Sequence, residues 1–419
     1  MKMNTKIINL GCRLNAYESE VIRDILEKNS INNTVVINTC AVTNLAVKKS
    51  KQIIKKVKKE RPNDKILVTG CASQIEKQKF IEMKEVDRVI DNKHKTNENS
   101  YKYNSFSFES EIKNKLKHFP HIISKLKNKT RALLQIQQGC DHRCTFCIIP
   151  FGRGESVSLP IGEIVERANT YIESGYKEIV ITGVDITSYG NDLPGKPKLG
   201  EIIKRLLALV PNLKRLRFSS IDPAEMDEDL IDLISNDPRL LPHIHFSVQS
   251  GDNMILKRMK RRHSRTDVIE ICKRIKKKRE SVTFGADFIS GFPTESRENH
   301  KNTLDLINKC NFTNLHIFPF SPKKGTPASR MPQVEEKIKI LRASQLRQLG
   351  ESLKLKYFNS KVGKTSKILF ESNRLSYSDD FLKVFIPDIN TYKNNKLKGK
   401  LVKVKFYDYD DKAILAKLV

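Results

Sequence analysis

Short apolar runs alternate with helix-spaced amphipathic stretches twice along this 419-residue chain. That alternation restricts it to architectures built on parallel sheets. In the first series the runs fall at 6–10, 34–38 and 65–69, with a fourth near 86–90. Helices are expected over 15–28, over 43–61 and after Ser73. The second series places candidate strands at 132–138, 178–183, 214–219, 243–248, 282–289 and 313–318, each pair separated by a helical stretch. Six such units can curl into a partial (β/α)6 barrel of the TIM type, whose site forms from loops at the strand C-terminal ends. One long helix is expected from Val334 to about Phe358. Beyond it, β-like runs at 366–370, 382–386, 401–406 and 413–419 predict a small all-β module. The expected division is an N-terminal parallel α/β domain over 1–105 and a polar linker over 106–128. A barrel core over 129–357 and a β domain over 358–419 complete it.

Eight cysteines stand out against this frame. Cys140, Cys144 and Cys147 form C-x3-C-x2-C on the loop after the first barrel strand. Three thiolates can ligate three irons of a [4Fe–4S] cubane and leave the fourth iron open to a chelating substrate. A zinc site usually takes four ligands in two pairs, and His142, Cys272 and Cys310 do not complete one at sensible spacing. The pattern therefore favours a cluster over zinc. Cys12, Cys40 and Cys71 each lie just beyond a strand of the first series. In a parallel sheet all strand C-termini emerge at one edge, so these three converge as a second set of cluster ligands. Cys272 and Cys310 fall in helical stretches and read as core. The histidines show no metal-binding spacing.

Net charge is +29, which points to an anionic partner, nucleic acid first. Residues 255–279 hold twelve Lys or Arg against Asp267 and Glu270, and the last sixty residues are basic as well. No apolar run approaches the roughly 20 residues of a membrane span, and the N-terminus lacks a signal-peptide layout. A cytoplasmic protein is expected, and there thiols stay reduced and bind metals.

Phe146 precedes the last cysteine of C-x3-C-x2-C, and in that form the motif resembles the radical S-adenosylmethionine superfamily. The resemblance narrows to the methylthiotransferase family over nearly the whole chain. It rests on GlyCysArgLeuAsn (11–15), AsnThrCysAlaValThr (38–43), ThrGlyCysAlaSerGln (69–74), CysThrPheCysIleIlePro (144–150) and GlyArgGly (152–154). SerSerIleAspPro (219–223), ValGlnSerGly (248–251), LysArgMetLysArg (257–261), the segment 285–295 and GlyThrProAla (325–328) extend it. The terminal β module is similar to the RNA-binding TRAM domain.

The resemblance implies a radical S-adenosylmethionine barrel and two [4Fe–4S] clusters with S-adenosylmethionine as cofactor. Methyl transfer to sulfur occurs at the N-terminal cluster, and reductive cleavage to a 5′-deoxyadenosyl radical at the barrel cluster. No catalytic residue beyond the cluster ligands is assigned. Flavodoxin or ferredoxin is the expected electron donor and the tRNA anticodon stem-loop the expected partner. GlyCysArgLeuAsn and GlyValAspIleThrSerTyrGly (183–190) resemble most the branch that modifies N6-threonylcarbamoyladenosine at position 37, at C2. The isopentenyladenosine branch and the branch acting on a ribosomal aspartate are the alternatives. Radical chemistry without sulfur insertion and a zinc-dependent RNA-binding protein are the readings from other classes. Phe146, Gly183, Asp185, Gln249 and Asp287, around the cluster loop and near the ends of barrel strands, are expected to face the cofactor. Arg153 is expected to pair with a carboxylate or an RNA phosphate.

Overall fold

The computed structural model describes residues 5–102, 119–123, 126, 129–372, 375–389 and 396–419. Most of the linker expected at 106–128 lies outside the described residues. Strands β1 (Thr5–Asn9), β2 (Thr34–Thr39), β3 (Lys65–Gly70) and β4 (Arg88–Val89) pair in that order, all parallel. Between them run α1 (Arg13–Lys28), α2 (Asn44–Glu60) and α3 (Cys71–Ile75). The amphipathic stripe of α1 buries Leu14, Tyr17, Val21, Ile22, Ile25 and Leu26, the 3–4 spacing of a helix packed on a sheet. Helix α2 starts where the Thr43 hydroxyl accepts from the Ala46 amide at 3.1 Å, an ordinary N-cap.

The core strands are β5 (Ala132–Gln135), β6 (Ile179–Thr182), β7 (Leu216–Phe218), β8 (His243–Gln249), β9 (Thr283–Ser290) and β10 (Phe312–Pro319). They form two parallel three-stranded sheets joined by bridges at Leu216–Leu240 and Ile221–Phe246. The short helix α4 (Ile149–Arg153) follows the cysteine loop. Then α5 (Ile161–Glu173), α6 (Leu199–Leu209), α7 (Glu228–Asn236), α8 (Arg265–Lys278) and α9 (Arg297–Cys310) pack outside the strands. Residues 134, 181, 218, 246 and 286 share the core formed with these helices. With a side-chain period of two, residues 133, 180, 217, 245 and 287 point the other way, into the lumen. Leu133 and Val180 pack there against α1, so the N-terminal domain closes the open side of the partial barrel. Cys272 and Cys310 are buried in the core, as expected.

Helix α10 (Glu336–Lys361) leads into a closed five-stranded barrel, TRAM-like in form. Its strands are β11 (Thr365–Ser372), β12 (Leu375–Ser378), β13 (Lys383–Phe385), β14 (Leu401–Tyr409) and β15 (Ile414–Leu418), in the order β11-β12-β13-β15-β14. The sequence pattern missed β12, whose LeuSerTyrSer segment is too short and polar to read as a strand.

This barrel docks on the N-terminal ends of the core strands through one buried carboxylate. Glu178 is fully buried and lies 2.7 Å from Arg131, 2.9 Å from Arg215 and 2.6 Å from Arg217. Arg215 continues to Asp379 at 2.5 Å, and Arg217 donates to the carbonyls of Ser378 and Asp379. Burial would raise the Glu178 pKa, but Arg217, Arg131 and Arg215 hold it down at about 2. A carboxyl depressed in the native state stabilises it above the unfolded value, ordinarily 4.5. That stabilisation is lost as pH falls from there through about 2. We expect Glu178→Gln to cost about 3–5 kcal/mol at neutral pH by leaving the arginines uncompensated. In urea titrations the gap from the unsubstituted protein should narrow steadily below pH 4.5. A gap independent of pH would remove Glu178 from that role.

Candidate functional site

Cys12, Cys40 and Cys71 lie just past the ends of β1, β2 and β3, the shared edge expected for them. The turn into Cys71 needs a glycine. Gly70 sits at φ +101°, and a Cβ there would lie 2.4 Å from the Thr39 carbonyl oxygen. Cys12 is exposed, Cys40 is half-buried and Cys71 is buried. Burial pushes the Cys40 thiol up, and the neighbouring Cys71 and Cys12 add to that.

Cys140, Cys144 and Cys147 occupy the loop between the first core strand and α4, and all three are half-buried. Burial pushes the Cys147 thiol up to about 12. Burial and then Asp185 push Cys140 up as well. A cleft of about 250 Å³, lined by Asp141–Cys144 and Lys260–Arg262, opens beside this loop.

The two triplets are brought together by α4, which packs on α3. A Cβ placed on Gly152 would lie 3.3 Å from Ile75 and 3.7 Å from the Cys71 side chain. Asn92 donates to the Gly152 carbonyl at 2.6 Å and lies 3.9 Å from the Cys71 sulfur. Arg153 pairs with Glu18 through both guanidinium nitrogens, at 2.8 and 3.0 Å, and Lys95 reaches the same carboxylate at 2.6 Å. The structure thus resolves the choice left by the sequence: Arg153 meets a carboxylate of the N-terminal domain.

The donor sets suit iron–sulfur clusters. A tetrahedral zinc with bonds near 2.3 Å would hold its sulfurs about 3.8 Å apart. Among the described residues, the groups whose ligand atoms all lie within 4.8 Å of one another are His142–Asp185–Glu225 and His245–Asp287–His316. Neither thiol triplet is drawn that tight. Arg153 and Lys95 also outnumber Glu18 as a buried net positive charge near Cys71. Arg261 stands 3.8 Å from the Cys144 sulfur. Cations at both places would offset the negative charge that cluster-bound sulfurs carry.

The other expected site residues take varied places. Phe146 packs edge-to-face on Phe292, with centroids 6.4 Å apart, in a small apolar cluster with Ile255, Met259 and Phe320. Gly183 allows a close approach, since a Cβ there would lie 2.9 Å from Gln137 oxygens. The Gln137 side-chain oxygen accepts from the amides of Val184 and Asp185 at 3.0 and 2.9 Å. Asp185 reaches back to the cluster loop, 2.8 Å from His142 and 3.8 Å from the Cys140 sulfur. Hydrogen bonds to Asp185 and Glu225 hold His142 up at about 10. Gln249 ends β8 in the left-handed region at φ +71°, a strained conformation for a residue with a Cβ.

Asp287 faces the lumen. One of its oxygens accepts from His245 and from His316, each at 2.9 Å. Burial alone would raise its pKa, but the two imidazoles hold it below the usual carboxylate range. Sequence reasoning passed over both histidines. For His245 a signal was present in His243-Ile-His245, which puts two rings on one face of a strand; for His316 there was none. The basic run at 255–279 is also less available than its composition suggests. Arg261 binds Asp222, Arg262 binds Glu225 and Arg265 binds Asp305. Arg274 binds Glu228, and Arg279 donates to three backbone carbonyls. Lys257, Lys260, Lys273 and Lys277 stay exposed.

Among the described residues, no helix is long and apolar enough to cross a membrane. Residues 134–307 match the radical SAM superfamily, and residues 4–91 match the uncharacterized protein family UPF0004. The chain is 47% identical over 383 residues, 91% of each chain, to the threonylcarbamoyladenosine tRNA methylthiotransferase MtaB of Rickettsia prowazekii. The protein of that name from Bacillus subtilis is 31% identical over 96% of this chain and 94% of its own. The tRNA-2-methylthio-N(6)-dimethylallyladenosine synthase of Neorickettsia sennetsu is 30% identical over 91% and 86%. The radical S-adenosylmethionine methyltransferase TsrM of Kitasatospora setae shares the fold. Its TM-score is 0.58 at 12% identity, over 78% of this chain and 77% of that one. Paired cysteine triplets, a partial barrel and 47% identity over nine-tenths of a relative lead to one assignment: the chain belongs to the methylthiotransferase family of radical S-adenosylmethionine enzymes.

Proposed function

We propose that the protein inserts a methylthio group at C2 of N6-threonylcarbamoyladenosine at position 37 of tRNA. The observation that carries this reading is the packing of α3 on α4, which sets the Cys12–Cys40–Cys71 edge beside the Cys140–Cys144–Cys147 loop. It is supported in sequence by the Rickettsia relative named for that reaction.

In this reading Cys140, Cys144 and Cys147 would hold one [4Fe–4S] cluster that binds S-adenosylmethionine, and Cys12, Cys40 and Cys71 would hold a second. When bound, these groups supply a carbon-centred radical and a sulfur donor. The chain's own residues hold the geometry. Asp185, through His142, ties the cluster loop to the end of β6. Arg261 offsets thiolate charge at Cys144. Arg153, Glu18 and Asn15 fix the radical loop against α1. The Phe146, Phe292 and Phe320 cluster keeps water from one flank. Gly183, Gln249 and Asp287 line the strand ends and lumen where cofactor and base would lie. The working units are residues 1–105, 129–357 and 358–419, joined by a linker over 106–128. A cytoplasmic flavodoxin or ferredoxin provides the electron.

Nucleoside mass spectrometry of tRNA from a strain lacking the gene tests the reading. The expected result is loss of 2-methylthio-N6-threonylcarbamoyladenosine alone. Loss of the methylthio-isopentenyl nucleoside instead would assign the chain to the other branch.

A further inference from the structure

The first residue of α1, next to cluster ligand Cys12, carries a guanidinium into the barrel lumen. Arg13 lines a cavity of about 250 Å³ with Ala16, Arg131, Leu133, Arg217 and Phe381. All three modules contribute to this wall: α1, the strands of the core, and the turn after β12. The last is held in place deliberately. Phe381 adopts φ +64° and stacks on Tyr377 and His243, with centroids 4.8 and 5.1 Å away. Docking must offset that strained backbone.

The charges in the cavity are not equivalent. Arg131 is matched by Glu178 and Glu371, and Arg217 by Glu178. Arg13 has no carboxylate within 4.0 Å among the described residues; Asp287 and Glu178 act on it only at longer range, and it stands 5.9 Å from the Phe381 ring. It remains exposed to the cavity. A guanidinium with no carboxylate in ion-pair contact, in a cavity whose wall holds Lys129, Arg131 and Arg217 against Glu371 alone, suits a planar oxyanion.

Resting on the proposed substrate, we propose that Arg13 receives the carboxylate of the N6-threonylcarbamoyl group and is a specificity-determining residue. C2 and the N6 substituent flank N1 on one edge of adenine. A base presenting C2 to the cluster at Cys12 therefore carries its substituent toward the neighbouring residue. A tRNA backbone phosphate offers Arg13 the same kind of charge, so the test separates the two sources.

The reconstituted enzyme is assayed on an anticodon stem-loop bearing threonylcarbamoyladenosine, on its methyl ester, and on unmodified adenosine. Unsubstituted protein should bind and turn over the acid about 10–100-fold better than the ester, the range of one charge-assisted hydrogen-bond pair. Arg13→Gln should lose that preference, binding acid and ester alike, while its affinity for the unmodified stem-loop stays within about twofold. Iron content and cofactor cleavage, measured on the same samples, report whether the cluster at Cys12 is intact. Equal turnover of acid and ester by the unsubstituted protein overturns the inference without any variant. An equal loss on all three RNAs in Arg13→Gln overturns it in favour of a phosphate contact. No transfer to either modified RNA by unsubstituted protein would instead refute the substrate itself.

Discussion

Cys12→Ala/Cys40→Ala/Cys71→Ala is expected to keep S-adenosylmethionine cleavage and to lose methylthio transfer entirely. The mirror variant, Cys140→Ala/Cys144→Ala/Cys147→Ala, is expected to lose both. The asymmetry follows from where the triplets sit. The first occupies one edge of the N-terminal sheet, the second a single loop of the core barrel, and no strand is shared. Removing one set of thiols therefore leaves the other loop's backbone supports in place. The Cys140 amide still donates to the Gly154 carbonyl at 3.1 Å and the Thr145 amide to the Met259 carbonyl at 3.1 Å. Iron per chain should fall from about eight to about four in either variant, two cubanes reduced to one. Anaerobic iron analysis, cofactor cleavage and nucleoside analysis separate the outcomes. Transfer surviving in the first variant would end the sulfur-delivery role of the N-terminal triplet.

What the sequence made legible followed from local pattern. The β-rich apolar runs at 34–38 and 65–69 became strands buried along their length except at Lys65. Each cysteine placed after such a run stayed at the strand end, because period and parallel connection leave little freedom. The misses all depended on distant pairing. Nothing near Arg153 names Glu18, 135 residues earlier. Nothing near Asp287 names His245 or His316. The basic run at 255–279 read as free charge because its partners Asp222, Glu225 and Glu228 come from another βα unit. Strand β12 owes its place to pairing with β11 and β13, not to its own apolar content.

Arg153→Ala should have the largest effect on stability among single substitutions near the clusters. Arg153 and Glu18 are each 3% exposed and Lys95 is 1% exposed. Removing the guanidinium strands a buried carboxylate with one partner and frees α4 from α1. The expected cost is about 3–5 kcal/mol, the usual penalty for breaking a buried pair, read as a lower urea midpoint. Arg153→Lys should recover only part of it, since an ammonium cannot reproduce the two-point contact with Glu18. In Glu18→Met/Arg153→Met the pair is gone, and burial already pushes the Lys95 pKa down, so Lys95 can shed its charge. That double variant should regain much of the lost stability. Methylthio transfer should stay impaired in it, because the loop carrying Cys147 has lost its tie to α1, the helix that begins beside Cys12. If Arg153→Ala instead weakened tRNA binding at unchanged stability, its partner in the working enzyme would be an RNA phosphate and not Glu18.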